Sequence, residues 1–338
     1  MLTDTQLETS KAIQQRTGRT FHVATRFLPE RVRHATYVLY AFFRTADDIV
    51  DDPDPASVAV RRERLATLRE AALGNESTDD LVISAFNEVR ETHGIPDEEV
   101  NAFIDAMAAD IDPHGIESFR DLEDYMRGSA VAVGNMMLAV MDPDDVDAAR
   151  PHARALSEAF QLTNFIRDVR EDIVDLDRIY LPMETLAQYG VPAEQLRELQ
   201  FSEGVAASVR SELGRAEALY RQGVAGIELL PADCQFPVLL AAVLYAEHHR
   251  LIRDQEYDVV SRRPSLSRLD SLRAVARTWW HWRRDPDPVR AFNRASAIPL
   301  SAGDSDSRSG EGHRRIAPRS IGRSARGVIS RVSAWTVD

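Results

Sequence analysis

The 338-residue chain holds one cysteine, Cys234, and one lysine, Lys11. A lone cysteine excludes an intramolecular disulfide, a cysteine-based zinc cluster and a C-x-x-C redox pair, and reads as a small buried apolar residue. No apolar run reaches the roughly 18 residues of a spanning helix. The opening stretch MLTDTQLETSKAIQQR has no basic segment followed by an apolar one, so the expected location is the cytoplasm. Also missing are H-E-x-x-H, a P-loop and a G-x-S-x-G nucleophile elbow. His248 and His249, adjacent on a predicted helix, lack a ligand partner and are expected at the surface or capped by local hydrogen bonds. With almost no lysine, 54 acidic residues face 41 basic ones for a formal charge of −13. That balance argues against nonspecific nucleic-acid binding, which needs a basic footprint. It also fits a surface adapted to high salt.

What is present is helix. Hydrophobic residues make up 44% of the chain, enough for a large core, and through residue 285 they recur at three- and four-residue spacing with little strand-like alternation. LPERVRHATYVLYAFFRTADDIV is one such stretch, entered through Pro29 and left at Pro53. SFRDLEDYMRGSAVAVGNMMLAV, ARPHARALSEAFQLTNFIRDVREDI, FPVLLAAVLYAEHHRLIRDQEYDVV and LSRLDSLRAVARTWWHW read as others. The fold class is all-α, with no equal-length repeat. Composition shifts after RRDPDPVR: residues 289–338 carry nine arginines against four acids amid serine and glycine. The expected division is therefore a catalytic domain over 1–288 and a disordered basic tail over 289–338.

RTADDIVDDPD, residues 44–54, crowds five aspartates onto the end of an apolar helix. Asp47 and Asp51 share a helix face, with Asp48 on the adjacent edge, and like charges at that spacing oppose the helix. QLTNFIRDVREDIVD repeats the device with Asn164, Asp168 and Asp172 at i, i+4 and i+8. Each acidic stripe continues an apolar face expected to point inward, where unpaired carboxylates are very unfavourable. Something cationic belongs between them. Hard oxygen ligands, few per ion, suit magnesium, or manganese in its place, which keeps waters and shares its shell with substrate phosphates. Arg44, one turn before Asp48, and Arg167, beside Asp168, add cations for the remaining oxygens of a diphosphate. Such a site removes diphosphate as a leaving group and leaves a carbocation, which needs dry walls and π faces. Tyr37, Tyr40, Phe42, Phe43, Phe21, Tyr125, Phe165 and Tyr245 are candidates, core packing being the alternative for each taken alone.

TGRTFHVATRFLPERVRHATYVLYAFFRTADDIVDD, YMRGSAVAVGNMML, QLTNFIRDVREDI with RIYLP, and EYDVVSRR together resemble the squalene and phytoene synthase family in spacing and order, from about Thr17 to Arg263. The resemblance implies a single-domain isoprenoid-synthase helical bundle around a central cavity. It implies head-to-head condensation of two allylic diphosphates through a cyclopropylcarbinyl diphosphate. By position Asp47, Asp48 and Asp51 match the first metal-binding motif, and Asn164, Asp168 and Asp172 the second. Arg19, Arg44, Arg167 and Arg262 match diphosphate-binding positions. Tyr125, Gln161 and Tyr245 line the reaction centre, Tyr125 as the group that orients the leaving diphosphate or relays a proton. Two departures stand out: Thr17 where many bacterial members have histidine, and a segment from Asp172 to Arg178 one residue longer than the close pattern.

YMRGSAVAVGNMM and YDVVSRR are more similar to phytoene synthases, which implies phytoene from two geranylgeranyl diphosphates without NADPH. Squalene or dehydrosqualene from farnesyl diphosphate is the alternative. TWWHW, residues 278–282, reads either as an interfacial anchor for peripheral membrane contact or as helix-end packing. The rival of another class is a non-catalytic all-α binding protein with solvated acidic stripes. Salt adaptation predicts that the far-ultraviolet circular dichroism of the protein loses its helical signal as salt is lowered; a signal indifferent to salt contradicts it.

Overall fold

Short polar punctuation sets the helix boundaries in the computed structural model, which describes residues 2–17, 23–50, 58–112 and 115–299. The helices are α1 (Asp4–Thr17), α2 (Glu30–Val50), α3 (Val58–Ala72), α4 (Leu81–His93), α5 (Asp97–Ala109), α6 (Phe119–Met126), α7 (Ala132–Met141) and α8 (Val146–Arg167). They continue as α9 (Val169–Leu176), α10 (Met183–Gln188), α11 (Ala193–Arg197), α12 (Glu203–Ala225), α13 (Ala232–Asp254), α14 (Arg268–Arg284) and α15 (Pro288–Ala295). No strand occurs among the described residues, in keeping with the all-α expectation. Asp80 caps α4 by accepting from the amides of Val82 and Ile83, and Ser118 and Asp121 form a reciprocal capping box on α6. Ser202, Ser267 and Asp287 cap α12, α14 and α15 in the same way.

Two stretches that read as single helices are interrupted. Between α6 and α7 the chain makes a π turn over Arg127–Val131. Buried Glu99 spans it, accepting from Arg127 and Asn135 at 2.8 Å each. A π turn inserts one extra residue per turn and re-aims the side chains on either side, a device common at functional sites. Between α8 and α9 the chain bends at Asp168 (φ −101°, ψ 11°). The ladder survives the bend, because the Asp168 amide still donates to Asn164 and the Asp172 amide to Asp168, both at 2.8 Å.

Three apolar clusters form the core. One joins α2 to α5 and α7, with Phe42 stacked on Phe86 at 3.9 Å. A second joins α6, the end of α8, and α9 to α12; a third joins α12 to α15. The expected boundary at residue 288 is too early. Pro288–Ala295 is helical, and Ala291, Phe292, Ala295 and Ile298 are buried against α13 and α14, since a periodic apolar face inside a basic stretch is enough to dock a short helix. The remainder of the proposed tail, 300–338, lies outside the described residues.

Glycine decides how closely the central helices approach. A Cβ on Gly128 would stand 2.3 Å from the Ala102 carbonyl oxygen of α5, and one on Gly223 would stand 2.7 Å from the Leu156 backbone of α8. Exposed Gly214 on α12 has nothing within 4 Å of that position. Gly128→Ala is therefore expected to lower the unfolding free energy by about 1–3 kcal/mol through overpacking. Gly214→Ala is expected to raise it by about 0.5–1 kcal/mol through helix propensity. Denaturant titration of the two variants checks both signs.

Candidate active site

α8 is the spine of the molecule, and a cavity of about 1170 Å³ runs beside it. Along this helix the lining residues are Ala149, His152, Ala153, Leu156, Ser157, Phe160, Gln161, Asn164, Phe165, Arg167 and then Asp168, one face followed for about 28 Å at 1.5 Å per residue. α2 supplies the facing wall with Thr36, Leu39, Tyr40, Phe43, Arg44 and Asp47. The polar groups gather at one end. Toward the start of α8 the walls are Met137, Leu138, Met141, Leu156, Ile227, Leu230 and Val238.

At the polar end Arg44 is clasped by both carboxylates of its own helix, Asp47 and, at 2.6 Å, Asp48. Asp47 lines the cavity; Asp48, 61% exposed, stands on the rim outside the lining. Across from them Asp168 is held by Arg167 and by Arg263, whose Nε donates to it at 2.7 Å. Asp172 lines the same wall, and its carboxyl is pushed up to about 7 by burial first and then by the charges of Asp168 and Glu171, against the pull of Arg167 and Arg178. The Oδ1 of Asn164 is buried with no hydrogen-bond partner. A buried orphan acceptor beside two aspartates that repel one another is a donor set suited to a cation. The residues present thus fit a hard divalent ion. Among the described residues no three His, Cys, Asp or Glu side chains converge on one point. Ligands spread along a wall suit an ion that retains water and takes substrate oxygens rather than one caged by protein.

Behind Asp172 lies a second polar group. The Tyr125 hydroxyl donates to Asp110 at 2.8 Å, Arg178 pairs with Asp110 at 3.6 Å, and Arg178 donates to the Tyr180 hydroxyl at 3.1 Å. Burial, then neighbouring Tyr180 and Asp110, holds the Tyr125 phenol well above its ordinary value, and burial pushes Tyr180 up to about 12. Both remain protonated donors at neutral pH. Phe165 stacks on Tyr180 at 4.3 Å, and on the other side Phe160 stacks on Tyr245 at 4.6 Å, so aromatic faces flank the reaction space.

The structure brings Asp47, Arg44, Tyr125, Gln161, Asn164, Arg167, Asp168, Asp172 and Tyr245 to one cavity. Arg19, Phe21 and Asp51, and the Thr17 side chain, lie outside the described residues. Tyr37 does not reach the cavity wall: it sits at the edge of the α2 stripe, buried and close to Arg33, and Phe42 is core. Arg262 is exposed and off the lining, while its neighbour Arg263 faces in and holds Asp168, a one-residue displacement set by the turn after Val260. After Asp172, α9 ends at Asp177 in the left-handed region (φ 52°), and Arg178 and Tyr180 beyond it line the cavity. His248 and His249 are buried rather than exposed, and His248 makes the local hydrogen bond that was the alternative, to the Tyr245 carbonyl at 3.1 Å. His248 lines the cavity and is kept neutral by burial; His249 bonds Thr163 at 3.0 Å and Glu217 at 3.3 Å, fixing α8 one residue before Asn164. Sequence reasoning did not single out Asp110, Arg178, Tyr180 or Arg263. Asp110 had a signal, since it extends the stripe of Phe103 and Met107 by three residues.

Residues 14–270 match the family model for squalene/phytoene synthase. The chain belongs to the squalene/phytoene synthase family. Within it the chain is 31% identical to a phytoene synthase of Rhodobacter capsulatus over 82% of this chain and 81% of that one. It is 35% identical to a phytoene synthase of Cereibacter sphaeroides over 76% and 75%. Among solved structures it is similar to a dehydrosqualene synthase in complex with ligand, at TM-score 0.73 and 27% identity, covering 83% of this chain and 97% of that one. A squalene synthase from Alicyclobacillus acidocaldarius matches at TM-score 0.66 and 27% identity, over 75% and 94%. The family's helical fold is thus the one described above.

Asp172 has a measurable signature without metal. A carboxyl raised from 3.8 to about 7 binds a proton in the folded chain that the unfolded chain has released, so its contribution to stability is lost as pH rises through that window. Asp172→Asn is therefore expected to stabilise the chelator-treated protein by about 2 kcal/mol at pH 8, less than the full shift because water reaches the cavity mouth, and hardly at pH 4. Urea titrations at the two pH values check this; equal effects at both contradict it.

Proposed function

We propose that the protein condenses two molecules of geranylgeranyl diphosphate head to head, through a cyclopropylcarbinyl diphosphate, to phytoene, with magnesium or manganese and without NADPH. The observation that carries this reading is a single cavity whose acidic and arginine-rich end passes into apolar walls along some 28 Å of α8. Its volume, about 1170 Å³, exceeds the roughly 300–1,000 Å³ that accommodates one drug-sized ligand. The likeness to phytoene synthases of Rhodobacter capsulatus and Cereibacter sphaeroides supports the longer substrate.

Asn164, Asp168 and Asp172, with Asp47 opposite, would hold the divalent ions. Bound there, such ions neutralise the charge that grows on diphosphate as its bond to carbon breaks. The chain's own groups do the rest. Arg44, Arg167, Arg178 and Arg263 surround the same space and take the outer oxygens of the diphosphate. Tyr180, kept protonated and held by Arg178, is a hydrogen-bond donor for a leaving oxygen, and Tyr125 reaches that oxygen only by exchanging its Asp110 partner. Tyr40, Phe43, Phe160, Phe165 and Tyr245 present π faces to the carbocation and exclude water from it. We further place the protein in the cytoplasm, in peripheral contact with the membrane into which its product passes; no helix among the described residues is long and apolar enough to cross one. The catalytic unit on this reading includes α15, whose apolar face is packed in the core.

A second reading, squalene or dehydrosqualene from farnesyl diphosphate, is favoured by the likeness to solved enzymes of those names. Mass spectrometry of products from each diphosphate, with magnesium and with or without NADPH, separates the two. Phytoene from geranylgeranyl diphosphate alone is the expected result. A C30 product from farnesyl diphosphate alone selects the second reading, and folded protein that makes neither overturns both. Asp168→Ala should cut turnover at least about 100-fold with the helical signal intact.

A further inference from the structure

We infer that the outer face of α14 is a docking surface for an anionic lipid bilayer. The inference rests on the proposed prenyl substrate for its purpose, but its evidence is separate. α14 buries Ala274, Val275 and Thr278 and turns the opposite stripe outward: Leu269, Arg273, Ala276, Trp280, Arg283 and Arg284. Leu269 is 54% exposed and Trp280 50%, among the largest apolar side chains the described surface leaves open.

The charge of this region is inverted relative to the rest. Residues 268–295 hold seven arginines against three aspartates, in a chain of formal charge −13. Arg273, Arg290 and Arg294 are engaged with Asp270, Asp285 and Asp287. Arg283 and Arg284 form no ion pair among the described residues and lie over the rings of Trp279 and Trp280, at 5.3 and 3.8 Å. Cations at the end of a helix answer its dipole. That does not explain an indole left open beside them. Tryptophan and arginine side by side on the outer stripe of an amphipathic helix match the headgroup zone, where the ring sits among acyl carbonyls and the guanidinium meets phosphate. The strongly negative remainder of the protein orients this face, and not another, toward a negative surface.

The same helix adjoins the cavity. Its inward Trp282 packs on Phe236 at 6.2 Å, next to Pro237 and Val238 of the cavity wall, and the segment leading into it, Arg263 to Leu266, is itself cavity lining. Docking by α14 therefore brings a wall of the apolar cavity close to the lipid that supplies and receives apolar chains.

The test is co-sedimentation of the full chain with vesicles of phosphatidylglycerol and phosphatidylcholine, or of phosphatidylcholine alone, at the lowest salt that keeps the helical signal. Each arginine near an anionic surface adds about fivefold to binding. Arg283→Gln/Arg284→Gln and, separately, Trp280→Ser are expected to reduce partitioning to the anionic vesicles at least tenfold and severalfold. Arg62→Gln/Arg150→Gln, which removes the same charge elsewhere, should change it little. Unaltered binding by the α14 variants, as a basic tail alone would give, overturns the proposal, as does a wild-type chain that ignores anionic vesicles. A change of oligomeric state in the variants without lipid would assign the face to a second copy and overturn it too. Turnover in detergent, expected to be unchanged in these variants, is read separately, so a failure of the substrate reading is distinguishable from a failure of the docking face.

Discussion

Carboxylates from two parts of the chain lining one cavity are the constraint on which the rest of the structure depends. Asp47 on α2 lines that cavity with Asp168 and Asp172 around the α8–α9 bend, and burial with the charges of Asp168 and Glu171 opposes ionisation of Asp172. The fold supplies four arginines, Arg44, Arg167, Arg178 and Arg263, and still leaves the Asp172 carboxyl far above its ordinary range and Asn164 with an unmet acceptor. On the proposed reading the remaining positive charge comes with the substrate. In the metal-free chain, stability is therefore set aside at the same place where a diphosphate would be bound.

Holding this arrangement requires rigidity at a distance. Thr163, His249 and Glu217 form a buried chain of hydrogen bonds behind Asn164, and Glu217 in turn pairs with Arg253, which reaches the Ala297 carbonyl. Glu99 spans the π turn that orients Tyr125 and Ser129. Buried hydrogen-bond networks of this kind fix a unique arrangement more than they add stability. Close glycine contacts at Gly128 and Gly223 bring α5 and α12 near the π turn and α8, so the cavity walls have little room to shift.

Much of this was legible in the sequence, because charge and periodicity are local properties. The all-α class followed from three- and four-residue spacing, and the stripe of Asn164, Asp168 and Asp172 from i, i+4 geometry, which held even through the bend at Asp168. What failed depended on packing. Whether Arg262 or Arg263 faces the site is decided by a turn, whether Tyr37 or Tyr40 reaches the cavity by the rotation of α2 against its neighbours. His248 has the local hydrogen bond to the Tyr245 carbonyl that the sequence allowed, whereas His249 looked like a surface residue because its partners, Glu217 and Thr163, are 32 and 86 positions away along the chain. The docked helix α15 was hidden by the basic composition around it, although Ala291, Phe292 and Ala295 already had helical spacing.

The central claim is that the two acidic walls form one site completed by metal and diphosphate together. Its most direct measurement is the thermal unfolding of the chelator-treated protein after addition of magnesium, of inorganic diphosphate, and of both. The account predicts a rise of several degrees with both, little with either alone, and loss of that rise in Asn164→Ala and in Asp47→Ala, on opposite walls. No rise with the pair, or an equal rise in the two variants, would contradict it.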